Sequence, residues 1–93
     1  MIRSFGSKDT EKICNGSGAA KIQQSIQEIS RRKLRMLNNS MDLKDLTIPP
    51  SNRLEKLKGD QKQFYSIRIN DQWRIKFRWI NGHSYDVEII DYH

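Results

Sequence analysis

The first half of the chain carries apolar residues at helical spacing. Ser7 is a suitable N-cap followed by acidic residues, so a short helix is predicted from there to about Cys14. The motif Asn15-Gly16-Ser17-Gly18 ends it, because closely spaced glycines favour a turn. A longer amphipathic helix is predicted over residues 19–38, with one apolar stripe on a core. That stripe consists of Ile22, Ile26, Ile29, Leu34, Leu37 and Met41.

Apolar and polar residues alternate over three later segments, as in strands with one buried face. The apolar positions are Tyr65, Ile67 and Ile69, then Trp73, Ile75, Phe77 and Trp79, then Tyr85, Val87 and Ile89. A shorter strand is predicted over residues 53–57 before a turn at Lys58-Gly59-Asp60, and residues 42–52 are predicted to be irregular. The expected fold class is α+β: one domain over residues 1–93, with two N-terminal helices packed on one face of a mainly antiparallel sheet.

The last hairpin can be tested by parity, because directly paired residues point to the same face of a sheet. Asn81-Gly82 suits a two-residue type I′ turn, but that turn would set Phe77 opposite Asp86 and mix the faces. A three-residue loop that also includes Ile80 is therefore predicted. It pairs Phe77 with Tyr85, Ile75 with Val87, Arg74 with Glu88 and Lys76 with Asp86.

The preceding hairpin, with Asn70-Asp71-Gln72 as its loop, gives a second register by the same test. It pairs Tyr65 with Phe77 and Ile67 with Ile75, and it sets Arg68 directly opposite Arg74. Two such cations repel unless an anion lies between them. Two interpretations stay open: Glu88 and solvent screen the repulsion, or the two arginines form a phosphate site. The predicted polar face collects Arg68, Arg74, Lys76, Arg78, Ile90 and Tyr92.

The charge balance indicates a negatively charged partner, either nucleic acid or an acidic protein. The chain has 17 Lys and Arg against 11 Asp and Glu, a net charge of +6. One basic cluster lies in the second half of the predicted long helix, and it either offsets the helix dipole on a solvated face or contacts nucleic acid or the ribosome. That cluster is Arg31, Arg32, Lys33 and Arg35.

Cysteine usage indicates a reducing compartment, and hydropathy indicates a protein without a membrane span. The single Cys14 cannot form an internal disulfide, is expected to pack against the core, and belongs to no Cys/His spacing typical of a zinc site. No apolar run approaches the length of about 18 residues that a membrane span needs. A soluble, cytoplasmic protein without membrane contact is expected.

Three segments together resemble a known family. The chain resembles the HigB-type toxins, also called plasmid maintenance killer proteins, of the RelE/ParE superfamily, over nearly its whole length. The resemblance rests on Leu57-Lys58-Gly59-Asp60, on Tyr65-Ser66-Ile67-Arg68-Ile69-Asn70-Asp71-Gln72-Trp73-Arg74, and on Val87-Glu88-Ile89-Ile90-Asp91-Tyr92-His93. It implies a type II toxin that cleaves messenger RNA, typically in the ribosomal A site, and a helix-turn-helix antitoxin (HigA-like) that neutralises it.

The resemblance also implies site residues. The family's catalytic set falls on Lys58, Arg74, Tyr92 and His93, and a further family position, often histidine or polar, is Glu55 here. The register and the predicted polar face add Arg68, Lys76 and Arg78, and charge alone adds Arg53, as candidates for binding RNA phosphates.

Metal-free RNA cleavage needs a base for the 2′-hydroxyl, an acid for the 5′-oxygen and cations for the phosphoryl charge. Lys58 and Arg74 suit the cationic role, and Tyr92 and His93 are the candidates for proton transfer, with acid and base unassigned between them. No cofactor or metal is expected, since no Asp/Glu cluster resembles a two-metal site.

Two other functions would fit the same sequence. A ParE-like gyrase inhibitor would share the fold without cleaving RNA, although the Lys/Arg/Tyr/His set argues against it. A non-catalytic nucleic-acid-binding module would explain the net charge and the basic sheet face alone.

Overall fold

The computed structural model describes residues 1–61 and 63–92, which form two α-helices followed by a four-stranded sheet. The strand order is β1-β2-β3-β4, and every neighbouring pair is antiparallel. The predicted α+β class is thus confirmed. The elements are α1 (Lys8–Cys14), α2 (Gln24–Asn39), β1 (Glu55–Lys56), β2 (Phe64–Arg68), β3 (Trp73–Ile80) and β4 (His83–Asp91).

Helix α1 begins where the sequence predicts. The Ser7 hydroxyl accepts a hydrogen bond from the Thr10 amide at 3.1 Å, which satisfies one of the free donors at the helix start. Thr10 is fully buried, and its own hydroxyl accepts a bond from the Ile89 amide at 2.9 Å. The cap therefore also fixes α1 against the last strand of the sheet.

Helix α2 begins at Gln24 and not at residue 19, so the predicted start is wrong. The reason lies in the buried side chain of Gln27, whose amide donates to the carbonyl oxygens of Ala19 and Ile22 at 2.9 and 2.8 Å. These bonds satisfy the backbone of a non-helical segment, which can then bury Ala19 and Ile22 without joining the helix.

The core lies between the helices and one face of the sheet, as predicted. Met41 is the exception in the predicted stripe: it is 84% exposed, because α2 ends at Asn39 and the chain turns away. Cys14 packs partly buried against this core, as predicted. The core consists of Ile13, Ala19, Ile22, Ile26, Leu34, Leu37, Leu46, Ile67, Ile69, Ile75, Phe77, Val87 and Ile89.

The β2–β3 register is the predicted one. Tyr65 lies opposite Phe77, Ile67 opposite Ile75, and Arg68 opposite Arg74. The rings of Tyr65 and Phe77 stack with their centroids 6.2 Å apart on the core side.

The predicted β3–β4 register is wrong. Ile80 pairs with His83 across a two-residue turn, and both Asn81 (φ 51°) and Gly82 (φ 81°) have the positive φ of a type I′ turn. The mixing of faces is avoided by a β-bulge near Asp86, which has φ 53° and adds one residue to β4.

The bulge replaces each of the predicted β3–β4 pairs and changes which residues share a face. Tyr85 lies opposite Arg78 on the polar side and not against Phe77. The other observed pairs are Ile75 with Ile89, Arg74 with Ile90, and Lys76 with Glu88.

The segment between α2 and β2 is compact, although it contains little strand. The predicted strand over residues 53–57 is reduced to Glu55–Lys56, and the predicted irregular segment contains two 3-10 helices, Leu43–Thr47 and Pro50–Asn52. Asn52 is fully buried, and its amide donates to the Leu46 carbonyl at 3.1 Å. This packing fixes the position from which β1 starts.

The N-terminal residues form a parallel edge beside β4. Ile2 bridges to Ser84 and Phe5 bridges to Val87. No helix within the described ranges, 1–61 and 63–92, has the length and apolar content to cross a membrane.

Candidate active site

A cleft of about 420 Å³ opens where β1 and the turn after it meet the end of β4. Lys56, Leu57, Lys58 and Tyr92 line it. The site thus joins two parts of the sequence that lie more than thirty residues apart, and it brings together two of the predicted catalytic residues, Lys58 and Tyr92.

Leu57 gives this cleft an apolar floor. Its exposure is 9%, yet it is not part of the main core cluster between the sheet and the helices. Its amide donates to the Phe64 carbonyl at 2.8 Å and so extends the β1–β2 pairing to the edge of the cleft. Tyr92 (44% exposed) stands at the same cleft, so the site offers apolar surface beside the exposed Lys58.

Arg74 lies beneath Tyr92, with its side chain only 7% exposed. The Arg74 Nε donates to the Ser66 hydroxyl at 2.8 Å, and its terminal NH2 nitrogen donates to the carbonyl of Arg53 at 2.5 Å. The other terminal nitrogen, NH1, is 3.9 Å from a Glu55 carboxylate oxygen. Arg74 is therefore on the predicted face of the sheet, but it is buried and oriented by neighbours on β1 and β2.

The electrostatics of Arg74 reflect that burial. Desolvation lowers the pKa of the Arg74 guanidinium, and Glu55 and then Tyr92 oppose that shift. The guanidinium carbon lies 5.4 Å from the centre of the Tyr92 ring, a cation–π contact. The predicted placement of Tyr92 on the same face as Arg74 is thus confirmed, because the ring covers the cation.

The C-terminal segment is held in place from the β2–β3 loop. The Tyr92 amide donates to the Gln72 carbonyl at 2.6 Å, and the Gln72 side-chain amide donates to an Asp91 carboxylate oxygen at 3.1 Å. Gln72 thereby holds the chain at the Asp91 side chain and at the Tyr92 amide. His93 follows Tyr92 in sequence and lies outside the described residues, so its proposed role stays a prediction.

The remaining basic residues of this sheet face each have an anionic neighbour. Arg68 pairs with Asp71, Arg78 with Asp86 at 2.8 Å, and Lys76 with Glu88 at 4.0 Å. Aromatic rings add to two of them: Phe64 lies 4.7 Å from the Lys76 ammonium, and Tyr85 lies 5.8 Å from the Arg78 guanidinium.

Arg68 and Arg74 are opposite each other, as predicted, but they diverge. Arg68 turns to Asp71 in the hairpin loop, whereas Arg74 turns to Ser66 and the Arg53 carbonyl. Neighbouring protein groups therefore offset their repulsion, and these are not the predicted Glu88. The predicted phosphate site between the two arginines stays a prediction.

The basic cluster of α2 contributes none of the described residues that line the cleft. Arg31 donates through Nε to the Ile13 carbonyl at 2.8 Å, and Lys33 donates to the Asn52 side chain. Arg32 and Arg35 are exposed. The last turn of α2 contains no basic residue, so the interpretation that this cluster offsets the helix dipole is wrong, because the helix runs past it to Asn39.

Sequence reasoning missed four residues that build this site. Ser66 and Gln72 orient Arg74 and Tyr92, while Lys56 and Leu57 line the cleft. The alternation of β2 does place Ser66 on the polar face, which is a usable signal. Gln72 is an ordinary loop residue in the sequence, and only the meeting of the hairpin loop with the chain end gives it a role.

A family model and two named relatives point to the same family. A family model described as the RelE-like toxin HigB of type II toxin-antitoxin systems matches residues 3–93. The chain is 44% identical over 61 residues to Toxin HigB-1 of Vibrio cholerae. The aligned residues cover 66% of this chain and 64% of the relative. It is 36% identical over 67 residues to an uncharacterized protein of Haemophilus influenzae, 72% of this chain and 66% of the relative. It is 31% identical over 94 residues to Endoribonuclease HigB of Proteus vulgaris, over the full length of both.

Proposed function

The chain belongs to the HigB-like family of RelE-like toxins of type II toxin-antitoxin systems, and we propose that it is a metal-independent endonuclease that cuts messenger RNA on the ribosome. The observation that carries the proposal is the cleft in which Lys58 and Tyr92 meet above the buried Arg74. The relative from Proteus vulgaris, matched over its full length, is named an endoribonuclease. Cleavage would halt translation and growth.

The reaction proposed is an in-line attack of the ribose 2′-oxygen on the adjacent phosphorus. Lys58, exposed at the rim of the cleft, and the NH1 nitrogen of Arg74 supply positive charge where the phosphoryl oxygens gain negative charge. Tyr92 lines the cleft, and a nucleobase can stack against its exposed ring. Both proton transfers, from the 2′-hydroxyl and to the leaving 5′-oxygen, are assigned to the C-terminal pair, Tyr92 and His93.

The wider basic surface would bind messenger RNA and the ribosome. We assign Arg53, Arg68, Lys76 and Arg78 to RNA phosphates beyond the cleft, where phosphate would compete with the acidic partners of the last three. The α2 cluster, with Arg32 and Arg35 exposed, is a second patch for ribosomal or messenger RNA. This arrangement fits a cytoplasmic site of action.

The partner implied by the family is an antitoxin protein. We propose that it is a HigA-like protein with a helix-turn-helix, encoded next to this chain. Such a partner would also suit the net charge of +6, because an acidic surface would be attracted to it.

The test is brief induction in bacteria followed by mapping of new RNA ends across the transcriptome. The wild-type chain is expected to generate site-specific ends within translated messages. Lys58→Met should reduce them about 100-fold or more, because it removes a cation that stabilises the transition state. Lys44→Met removes an exposed lysine of a 3-10 helix outside the cleft and serves as the matched control, with unchanged cleavage.

Two outcomes would overturn the proposal. DNA breaks without new RNA ends would identify a gyrase poison. RNA binding with no cleavage by the wild-type chain would identify a non-catalytic binding module.

A further inference from the structure

We propose that Phe64, Arg78 and Tyr85 form a second RNA site, which binds two successive nucleotides of the message; the proposal rests on the nuclease function proposed above. Arg78 of β3 lies directly opposite Phe64 of β2 on one side and Tyr85 of β4 on the other. Paired residues point to the same face of a sheet, so the three side chains form one row across three strands. Two aromatic rings therefore flank one cation on the polar face that also carries Arg74.

The β-bulge of β4 brings Tyr85 to this face. Regular alternation would place Tyr85 opposite the buried Phe77, whereas the extra residue at Asp86, with φ 53°, places it opposite Arg78. The same bulge directs the Asp86 carboxylate to the Arg78 Nε, at 2.8 Å. A positive φ is uncommon for a residue other than glycine, and bulges often redirect a side chain next to a functional site. The row is thus built by a specific irregularity of the strand and not by regular pleating.

The two rings of the row do not serve the hydrophobic core. Phe64 and Tyr85 are half-buried, and within residues 1–61 and 63–92 neither belongs to the core cluster or packs against it. Each ring instead contacts a cation of β3: the Lys76 ammonium lies 4.7 Å from the Phe64 ring centre, and the Arg78 guanidinium lies 5.8 Å from that of Tyr85. Aromatic rings among cations on an accessible face are typical of proteins that stack the bases of single-stranded nucleic acid.

Arg78 is placed to bind the phosphate between two nucleotides. Asp86 bonds its Nε, and in the described part of the chain its two terminal nitrogens make no hydrogen bond. Those two nitrogens can bind two phosphate oxygens at once. The strands that carry Phe64 and Tyr85 lie on either side of β3, about 10 Å apart. Two successive bases can therefore stack, one on each ring, with their connecting phosphate over Arg78.

The row lies close enough to the cleft for one RNA strand to reach both. Arg74 and Arg78 are four residues apart on β3, which corresponds to about 13 Å along the strand. Nucleotides advance about 3.4 Å each when stacked as in a duplex and further when the strand is extended, so this distance spans about four nucleotides or fewer. The row would thus hold the message within about four nucleotides of the scissile phosphate.

The contacts of the row favour RNA over an acidic protein as its occupant. Lys76 and Arg78 already pair with Glu88 and Asp86, so a carboxylate from a partner would replace an existing ion pair and gain little. Carboxylates also leave the aromatic rings unused, whereas every nucleobase has a planar face that can stack on them.

The experiment measures equilibrium binding of the full chain to a single-stranded 2′-O-methyl RNA of about ten nucleotides, which spans both sites and cannot be cut by 2′-attack. Phe64→Leu and Tyr85→Leu keep apolar bulk but remove the ring, and each should weaken binding about fivefold or more. Phe5→Leu, the same change in a ring that packs against the core, should bind like the wild type. Neither row variant should lose affinity for an abasic strand of equal length, because that strand has no bases to stack. Circular dichroism checks that each variant is folded.

Photocrosslinking tests the wild-type chain without any substitution. The same oligonucleotide with 5-iodouridine in place of uridine should crosslink to Phe64 or Tyr85, as identified by mass spectrometry of the peptides. Crosslinks at Tyr92 but at neither ring of the row would overturn the proposal.

Three binding results would also overturn it. Affinities of both leucine variants within about twofold of wild type would show that stacking on the row contributes little. Equal losses on the abasic strand would reduce its role to general charge or folding. Polyglutamate that binds as tightly as the oligonucleotide would assign the face to an acidic protein. The nuclease function is tested separately, because it fails only if the wild-type chain generates no new RNA ends.

Discussion

The hydroxyl of Ser66 allows a direct test of how Arg74 is held in the site. This hydroxyl is fully buried and accepts a hydrogen bond from the Arg74 Nε at 2.8 Å. In Ser66→Ala the nitrogen of a buried cation loses that acceptor, and bonds to charged groups contribute about 1.5–3 kcal/mol. We therefore expect the free energy of unfolding to fall by about that amount.

Ser84→Ala is the matched control. Ser84 is also fully buried in a strand, but within the described ranges its hydroxyl has no hydrogen-bond partner. Its loss should leave the free energy of unfolding unchanged or raise it, since a buried hydroxyl without a partner is itself a cost and no donor is left unsatisfied. The two variants thus separate the bond to Arg74 from the general effect of a smaller buried side chain.

Urea titration followed by far-ultraviolet circular dichroism measures both variants. The midpoint of Ser66→Ala should shift to lower urea at an unchanged m-value, which reports a change in stability and not in compactness. Its RNA cleavage should also fall, because Arg74 loses the group that aims its Nε. Equal stability losses in the two variants would refute the assigned role of Ser66.

Two further predictions concern the chain end and the last turn. Gln72→Ala removes the side-chain bond to Asp91 and keeps the backbone bond to the Tyr92 amide. It should slow RNA cleavage about 10-fold, because Tyr92 is then positioned less well, while unfolding stability changes by about 0.5 kcal/mol or less. Unchanged cleavage would contradict a positioning role for the Gln72 side chain. Gly82→Ala should cost about 1–2 kcal/mol in urea unfolding, because φ is 81° there. Gly18→Ala, at a glycine without positive φ, is its control, and an equal cost at both positions would contradict the reasoning.

The two hairpins show what a sequence can predict about register. Parity gave the correct β2–β3 pairing, because both strands alternate without interruption. The same test failed for β3–β4, because it assumes that no residue is inserted. Asp86 adopts a positive φ that aspartate tolerates better than most residues, and the resulting bulge lets the Asn81-Gly82 turn coexist with a consistent apolar face.

The candidate site was likewise predictable only in part. Lys58 and Tyr92 were predicted by resemblance and meet at one cleft, and parity placed Tyr92 on the same face of the sheet as Arg74. The burial of Arg74 could not be predicted, because an arginine on an alternating strand looks solvent-exposed. Of its partners, Ser66 lies on the neighbouring strand, whose register was predicted, whereas the Arg53 carbonyl belongs to the irregular chain before β1, whose packing the sequence does not reveal.

The chemistry of the RNA ends tests the central claim most directly. Messenger RNA cut by the wild-type chain on ribosomes should carry a 2′,3′-cyclic phosphate at one end and a 5′-hydroxyl at the other, because the 2′-oxygen is the nucleophile. A kinase should therefore label the new 5′ ends without prior phosphatase treatment. New ends that carry a 5′-phosphate and a 3′-hydroxyl would contradict the account, since water would then be the attacking group.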